Sequence, residues 1–220
     1  MIRSVAAVAA SCLVATACAS APQTIKLAPE SVSLAGKSLV SVDQDVPGFT
    51  PFEPAGAAFG AIGGLMMASA AATFAQQNGI VDPAPIIEES VKTKLASQYS
   101  TLSGDTLNLK GAKEGTPYPK RDGVLFVDAK TTYWQYVYFP MDWGRFKVQY
   151  NALVQLVDGE SSKVLGQHFC VKESHTDSKS APTKDQLLAN RSELLNTLLV
   201  QMAQSCAADV NTNVLGAPAS

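Results

Sequence analysis

The stretch from residue 124 to residue 173 most strongly limits the folds open to this chain. It contains three successive runs rich in β-branched and aromatic residues, at 124–139, 145–157 and 163–173, separated only by short turns. The middle run alternates, with one apolar face (Val148, Tyr150, Ala152, Val154, Leu156) and one mainly polar face (Lys147, Gln149, Asn151, Gln155). Sequential strands joined by short turns favour an antiparallel meander, and the alternation predicts one buried and one wet face.

Two helices are predicted on either side of this β block. Asp82 and Pro83 suit an N-cap and a first helical residue, and apolar residues then recur every fourth position, which predicts a helix over 83–99. Thr183 and Gln186 fit a capping box that opens a second apolar stripe over 183–207. With a strand at 37–42, the pattern predicts an α+β fold. We expect a two-layer sandwich in which an antiparallel sheet of about four strands carries two helices on one face.

A separate Gly/Ala-rich helix is expected at 55–75, a run without any charged residue. Small residues recur there at every fourth position, as Gly56, Gly60, Gly64, Ala68 and Ala72. Such a stripe allows another backbone to approach closely, which compensates for the low helix propensity of glycine. The segment resembles the glycine-zipper segments of small envelope lipoproteins. Three interpretations stay open: packing inside its own domain, insertion into or onto a membrane, and pairing with copies of itself.

The first residues have the layout of a secretory signal, with Arg3 followed by an uncharged run that is short for a membrane span. Ala15-Thr16-Ala17-Cys18 resembles the lipobox of a bacterial lipoprotein signal. This resemblance implies cleavage before Cys18 and acylation, for instance by palmitate, of its thiol. Ala19 follows the cysteine, which in Gram-negative lipoproteins implies sorting to the outer membrane. The alternative is a plain secreted protein, cut after Ala19 or Ala21.

Lipidation would also give the remaining cysteines an even count. Cys12 would leave with the signal and Cys18 would carry lipid, so only Cys170 and Cys206 remain. The first lies in the last predicted strand and the second on the apolar stripe of the last helix, and a helix packed on a sheet can bring such positions within bridging range. We therefore predict a disulfide, with two buried free thiols as the alternative.

Catalytic and metal-binding patterns are weak in this chain. His168, Cys170, Glu173 and His175 lie close together, but their spacing matches neither a paired CxxC nor an HxxxH site. The sequence has no GxSxG elbow and no phosphate-loop motif. With a formal net charge of −2, it has no basic excess for nucleic acid. We accordingly predict no enzyme activity, no metal, no cofactor and no nucleic-acid partner.

Four aromatic residues were considered as a binding surface for glycan or protein. Trp134, Tyr136 and Tyr138 fall on one face of the first long strand, and Trp143 follows the turn. The competing interpretation places them on the core face of the sheet.

The predicted organisation is a signal peptide at 1–17, a lipidated tether at 18–36, one α+β domain at 37–208 and a disordered tail at 209–220. The predicted function is a non-catalytic lipoprotein of the outer membrane, facing the periplasm and anchored in the membrane by its N-terminal lipid. Its expected partner is another envelope protein, which it binds or scaffolds, or a copy of itself. The alternatives are a self-assembling or membrane-inserting protein that acts through the Gly56–Gly64 stripe, and an accessory subunit of a transport or secretion complex.

Overall fold

The computed structural model of the protein describes residues 22–28, 33–54, 71, 73–113 and 115–216. The predicted signal peptide and Cys18 lie outside the described residues. The same holds for Gly56, Gly60, Gly64, Ala68 and Ala72 of the small-residue stripe. Within 55–75, Ala71 and residues 73–75 are described, and they belong to a helical stretch that continues to residue 78.

In the described part of the chain, six strands form one mixed sheet in the order β3-β1-β4-β5-β6, with the short β2 also paired to β4. The strands are β1 (Ser38–Asp43), β2 (Thr50–Phe52), β3 (Leu102–Asn108), β4 (Val124–Phe139), β5 (Asp142–Asp158) and β6 (Val164–Glu173). The predicted meander is confirmed, because β4, β5 and β6 pair antiparallel in sequence order. The fold is therefore α+β, as predicted, and its sheet is larger than predicted.

The prediction of a wholly antiparallel sheet of about four strands is wrong. β1 and β2 both run parallel to β4, and β3 runs parallel to β1. Parallel pairing needs a connection that carries the chain back across the domain, and a helix between β2 and β3 supplies one. β2 escaped prediction because Pro51 is depleted in strands, and the sequence predicts only a short strand at 106–110 in place of β3, because Gly104 and Asp105 are depleted in strands as well.

Two long helices, α1 (Ala84–Tyr99) and α2 (Lys184–Asn213), pack on the same face of the sheet. Ile87, Val91 and Leu95 of α1 are fully buried, which confirms the apolar stripe. The capping box of α2 is present, since the Gln186 backbone N–H donates to the Thr183 hydroxyl and the Thr183 N–H donates to the Gln186 side chain. The predicted capping box is therefore confirmed, and α1 begins at Ala84 with Pro83 as its N-cap, one residue later than predicted.

The C-terminal part of α2 runs further than predicted. The helix continues to Asn213, where the sequence predicted a disordered tail from residue 209. Val210, Val214 and Leu215 are buried against the core, and the Leu27 N–H donates to the Val214 carbonyl. The apolar spacing from Cys206 to Val210 continues the stripe by one more turn, and burial of these side chains holds the tail in place.

A sharp break interrupts α2 after its first turn. Asn190, Arg191 and Ser192 have φ values of 52°, 57° and 62°, in the left-handed region. Non-glycine residues there carry a steric cost of about 1–2 kcal/mol each. No glycine or proline marks this break, so the sequence predicted a continuous helix. Just beyond the break, the Asn196 side chain donates to the Gly79 carbonyl and accepts from the Val81 N–H. These two hydrogen bonds are contacts that the bend makes with the segment before α1.

The predicted disulfide is present and joins α2 to β6. Cys170 and Cys206 are both buried, with their Cα atoms 5.7 Å apart. The bond closes a loop of 36 residues in sequence. On the chain-entropy estimate, a loop of this length corresponds to about 3–4 kcal/mol of stabilisation as an upper figure.

The core lies between the sheet and the helices. Val148, Tyr150, Ala152, Val154 and Leu156 of β5 are all at most 1% exposed, which confirms the predicted buried face. A second, smaller cluster lies on the opposite face, where Tyr118 covers Phe126 near the start of β4. Among the described residues, no helix combines the length and the apolar character that crossing a bilayer requires.

The break in α2 leads to a stability prediction. Replacing Arg191 by glycine removes the steric cost of the left-handed backbone, so we expect the free energy of unfolding to stay unchanged or to rise. The control variant Gln201→Gly, at an exposed helical position, should lose about 1 kcal/mol. Urea unfolding monitored by circular dichroism compares the two. Equal losses would mean that α2 is a continuous helix.

Candidate functional site

Among the described residues, β4 has no strand partner along part of one edge. β1 pairs with β4 as far as Ser41 and Val127, and β2 resumes the pairing at Thr50 and Gln135. Between these points the edge of β4 faces the irregular segment 44–49, which includes Pro47 and Gly48. Proline cannot donate to a β-ladder, so the chain bows away from β4 and leaves a gap in the sheet.

Two cavities of about 370 Å³ each open at this gap. The first is bounded by the end of β1, by the start of α1 and by β4. The second lies toward the segment that follows β3, with Leu109, Lys113 and Thr116 in its wall. Gln44, Asp45, Val46, Lys130 and Thr131 line both cavities. The segment 44–46 therefore separates two adjoining halves of one cleft.

The first cavity is acidic. Its charged lining consists of five carboxylates and one lysine: Asp43, Asp45, Asp82, Glu88, Glu89 and Lys130. Further lysines reach the carboxylates from the margin, because Lys110 pairs with Asp43 at 2.8 Å and Lys92 lies 3.8 Å from Glu89. Even so, the lining favours a positively charged group over an anion.

Glu88 occupies the point where β1 and β4 part. Its carboxylate accepts a hydrogen bond from the Ala129 N–H at 3.3 Å, and the Ser41 hydroxyl and Val42 N–H also bond to it. Burial, and to a lesser extent the nearby charge of Asp128, raise the pKa of Glu88 to about 7 against the lowering effect of its hydrogen bonds. The Glu88 side chain thus links α1 to both diverging strands. Because its pKa is about 7, it exchanges a proton near neutral pH.

Asp82 lies at the base of the same cavity. Its carboxylate accepts from the Thr131 hydroxyl at 2.5 Å and from the Ala84 N–H at 3.2 Å. Burial raises the pKa of Asp82, and these two hydrogen bonds partly oppose the rise. The Tyr150 hydroxyl lies 3.2 Å from the Thr131 oxygen, so the network continues into the core.

Asp128 performs a similar role in β4, where it is 4% exposed. One of its oxygens accepts from both the Tyr118 hydroxyl and the Gln44 amide, each at 2.5 Å. Its other oxygen is buried and has no hydrogen-bond partner among the described residues. Burial raises the pKa of Asp128. These bonds hold the segment 44–46 and the Tyr118 loop to the sheet.

The sequence does not predict that the carboxylates at the cleft come together, because they lie in four separate segments of the chain. The sequence pattern identifies Asp82 as a helix cap, and it places Glu88 and Glu89 near the start of a helix, where acidic residues suit the helix dipole. The available signal was Asp128 within the apolar run LFVDA, since a carboxylate inside a strand of this kind needs partners.

The predicted aromatic surface does not form as a unit. Trp134 and Tyr136 are 3% and 0% exposed and belong to the core, which bears out the competing interpretation. The Trp134 ring nitrogen donates to the Pro47 carbonyl, and the Tyr136 hydroxyl donates to Glu53. Tyr138 is half-buried, and only Trp143 is well exposed, at 66%. The alternation of the strand turns the first two rings toward the helices.

The histidine and cysteine cluster of β6 is also divided. Cys170 is in the disulfide, and the His168 Nδ1 lies 3.0 Å from the Thr24 hydroxyl. His175 contacts the neighbouring Ser174 hydroxyl at 2.8 Å. In the described part of the chain, no three His, Cys, Asp or Glu residues are arranged to hold a metal ion.

Comparisons with known proteins give little further guidance. No protein-family model matches the chain, and no curated protein matches it. Among solved structures, it is similar to a neuraminyllactose-binding hemagglutinin homolog from Helicobacter pylori, with 12% identity and a TM-score of 0.33. That alignment covers 86% of this chain and 93% of the other. A score this low transfers neither a ligand nor a role.

The position of Glu88 leads to a prediction about pH. A carboxyl whose pKa is raised in the folded state binds a proton that the unfolded state has lost, so stability falls as pH rises from about 4.5 to about 7. Replacing Glu88 with glutamine should remove this part of the decline and make the protein relatively more stable at pH 8. Unfolding curves recorded from pH 4 to pH 8 measure this change in the pH dependence of stability. Glu89→Gln, at a largely exposed position on the same helix, is the matched control and should leave the slope unchanged.

Proposed function

We propose that this protein is a lipid-anchored envelope lipoprotein of a Gram-negative bacterium, acylated at Cys18 and facing the periplasm from the outer membrane. The observation that carries the proposal is the Cys170–Cys206 disulfide. Structural disulfides persist in oxidising compartments such as the periplasm. The bond accounts for the two cysteines that remain once Cys12 leaves with the signal and Cys18 carries lipid, which supports the lipobox interpretation.

We further propose that the protein acts by binding another envelope component and not by catalysis. The cleft beside the segment 44–46 supports a binding role. The carboxylates of Asp82, Glu88 and Asp128 are held by hydrogen bonds to strands, helix and loop, so the cleft has a preformed shape. Concave sites that contain groups with shifted pKa values are frequent positions of ligand binding. The acidic lining suits a partner that presents a cationic group.

The anchoring part of the proposal is tested with Cys18→Ser. We expect the wild-type protein to fractionate with membranes and to yield an N-terminal peptide that begins at Cys18 and carries acyl chains. Cys18→Ser, expressed behind an ordinary secretory signal, should be soluble and unlipidated, because a single cysteine carries the anchor. Membrane fractionation and intact mass, both without reductant, measure this.

Cys12→Ser is the matched control for that experiment, since this cysteine lies in the segment expected to be removed, and it should stay lipidated. A soluble, unlipidated wild-type protein would overturn the proposal. If Cys18→Ser remained in the membrane, the segment 55–75 would be the anchor, and the membrane-inserting alternative would replace the lipoprotein.

The binding role is tested by photo-crosslinking in living cells. Val46 is 40% exposed and lines both halves of the cleft, so a photoreactive residue there should form a discrete adduct with one envelope component. The same residue at Leu102, an exposed position on the edge strand β3, is the control and should form no such adduct. Glu89→Lys should weaken the adduct by reversing a charge of the lining. Equal adducts at both positions, or none at Val46, would contradict the assignment.

A further inference from the structure

The turn between β4 and β5 exposes two large apolar side chains. Met141 is 97% exposed and Trp143 is 66% exposed. The hairpin also extends past its neighbour, because β6 ends at Glu173, which pairs with Gln149, while β5 begins at Asp142. The two apolar side chains therefore project from one end of the sheet.

The surroundings of Trp143 leave its apolar surface facing outward. Its ring nitrogen donates to the Pro140 carbonyl at 2.9 Å, so the one polar atom of the ring has a partner within the turn. The ring lies edge-on to Tyr138 at 6.5 Å, and Tyr138 stacks on Phe52 at 5.9 Å. These contacts hold the indole in place. A tryptophan and a methionine displayed in this way suit the boundary between lipid and water.

β2, which leads into the uncharged run 55–75, ends at the same end of the sheet. Phe52 is the last residue of β2, which runs parallel to β4 toward the hairpin turn. Only Glu53 and Pro54 separate it from the uncharged run 55–75. The described chain before this run thus includes Phe52, which belongs to the aromatic row that leads to Trp143.

Residues 22–25, which follow the proposed lipidation site Cys18, lie beside β6. Ile25 pairs antiparallel with Gln167 of β6. Followed backward from Ile25 to Pro22, the chain therefore runs in the same direction as β6, toward the hairpin end of the sheet. Cys18 precedes Pro22 by four residues, which span at most about 14 Å. Continuing this register places Pro22 level with Cys170 and its partner Ala152, about 33 Å along β5 from Asp142.

We infer that Met141 and Trp143 insert into the same lipid leaflet that holds the acyl chains of Cys18. The inference rests on the anchor proposed above and adds a second point of attachment. Because the tether is shorter than the distance from Pro22 to the hairpin tip, the strands must lie oblique to the bilayer. The β6 side of the domain, from which the tether leaves, then faces the membrane.

The test uses tryptophan fluorescence, since the chain contains only Trp134 and Trp143 and the first is buried. Full-length mature lipidated protein is bound to vesicles of phosphatidylethanolamine and phosphatidylglycerol with either plain or brominated acyl chains. We expect brominated chains to quench the Trp143 emission in the wild type. Trp143→Phe, whose emission comes from Trp134 alone, should show no quenching.

A second pair of variants separates membrane contact from general surface effects. Met141→Ser should reduce the quenching of Trp143, whereas Leu102→Ser, at a position 57% exposed on β3 at the opposite edge of the sheet from β6, should leave it unchanged. Protein that floats with vesicles but is not quenched would overturn this inference and leave the lipid anchor in place. Failure to float would overturn the proposed anchor itself. Sedimentation as a dimer that Met141→Ser abolishes, without quenching, would assign the tip to a second copy of the chain.

Discussion

The antiparallel pairing of β4 with β5 is the interaction on which the rest of the structure depends. The pairing runs from Leu125 opposite Asp158 to Phe139 opposite Asp142, interrupted only by two irregularities. Every other strand attaches to it directly or through one neighbour, and both helices pack on its apolar face. The strict alternation of β5 makes this register costly to change, because a shift by one residue would turn Val148, Tyr150 and Ala152 toward water.

The cleft follows from how the other edge of β4 is covered. β1 and β2 together are too short to pair along the whole of β4, and Pro47 and Gly48 lie between them. Backbone groups of β4 in the gap still need partners, and the Ala129 N–H finds one in Glu88. The buried carboxylates are thus part of the architecture, since they replace a missing strand. Their raised pKa values are the electrostatic consequence of that burial.

The disulfide and the hairpin tip lie in opposite environments, one buried and one exposed. Cys170 and Cys206 fasten α2 to β6 within the dry core, where packing is dense. The hairpin tip of β4 and β5 extends beyond that core and leaves Met141 and Trp143 in contact with solvent. A long two-stranded ribbon makes both possible, because its middle is covered by the helices while its end projects past the neighbouring strand.

Local sequence determined the elements whose signal lies within a few residues. The β4–β6 meander, the apolar face of β5, the stripe of α1, the capping box of Thr183 and Gln186, and the cysteine pair could all be predicted, since periodicity and capping are short-range properties. Alternation places Trp134 and Tyr136 on one face of β4 without saying whether that face is core or surface, so the sequence left both interpretations open. Proline hid β2, and Gly104 and Asp105 hid the first part of β3, and both strands owe their pairing to neighbours distant in sequence.

Only the tertiary structure decided the parallel edge of the sheet, the break in α2 and the carboxylate cleft. Each depends on contacts between segments far apart in the chain, such as Asn196 with Gly79, Glu88 with Ala129, and Tyr118 and Gln44 with Asp128. Local propensity opposes several of these features, since Arg191 and Ser192 favour a continuous helix and Asp128 is a poor strand residue. The sequence alone determined which faces are apolar and where helices begin. Packing decided the rest, because the free energy gained by filling a shared core exceeds the small local preferences that it overrides.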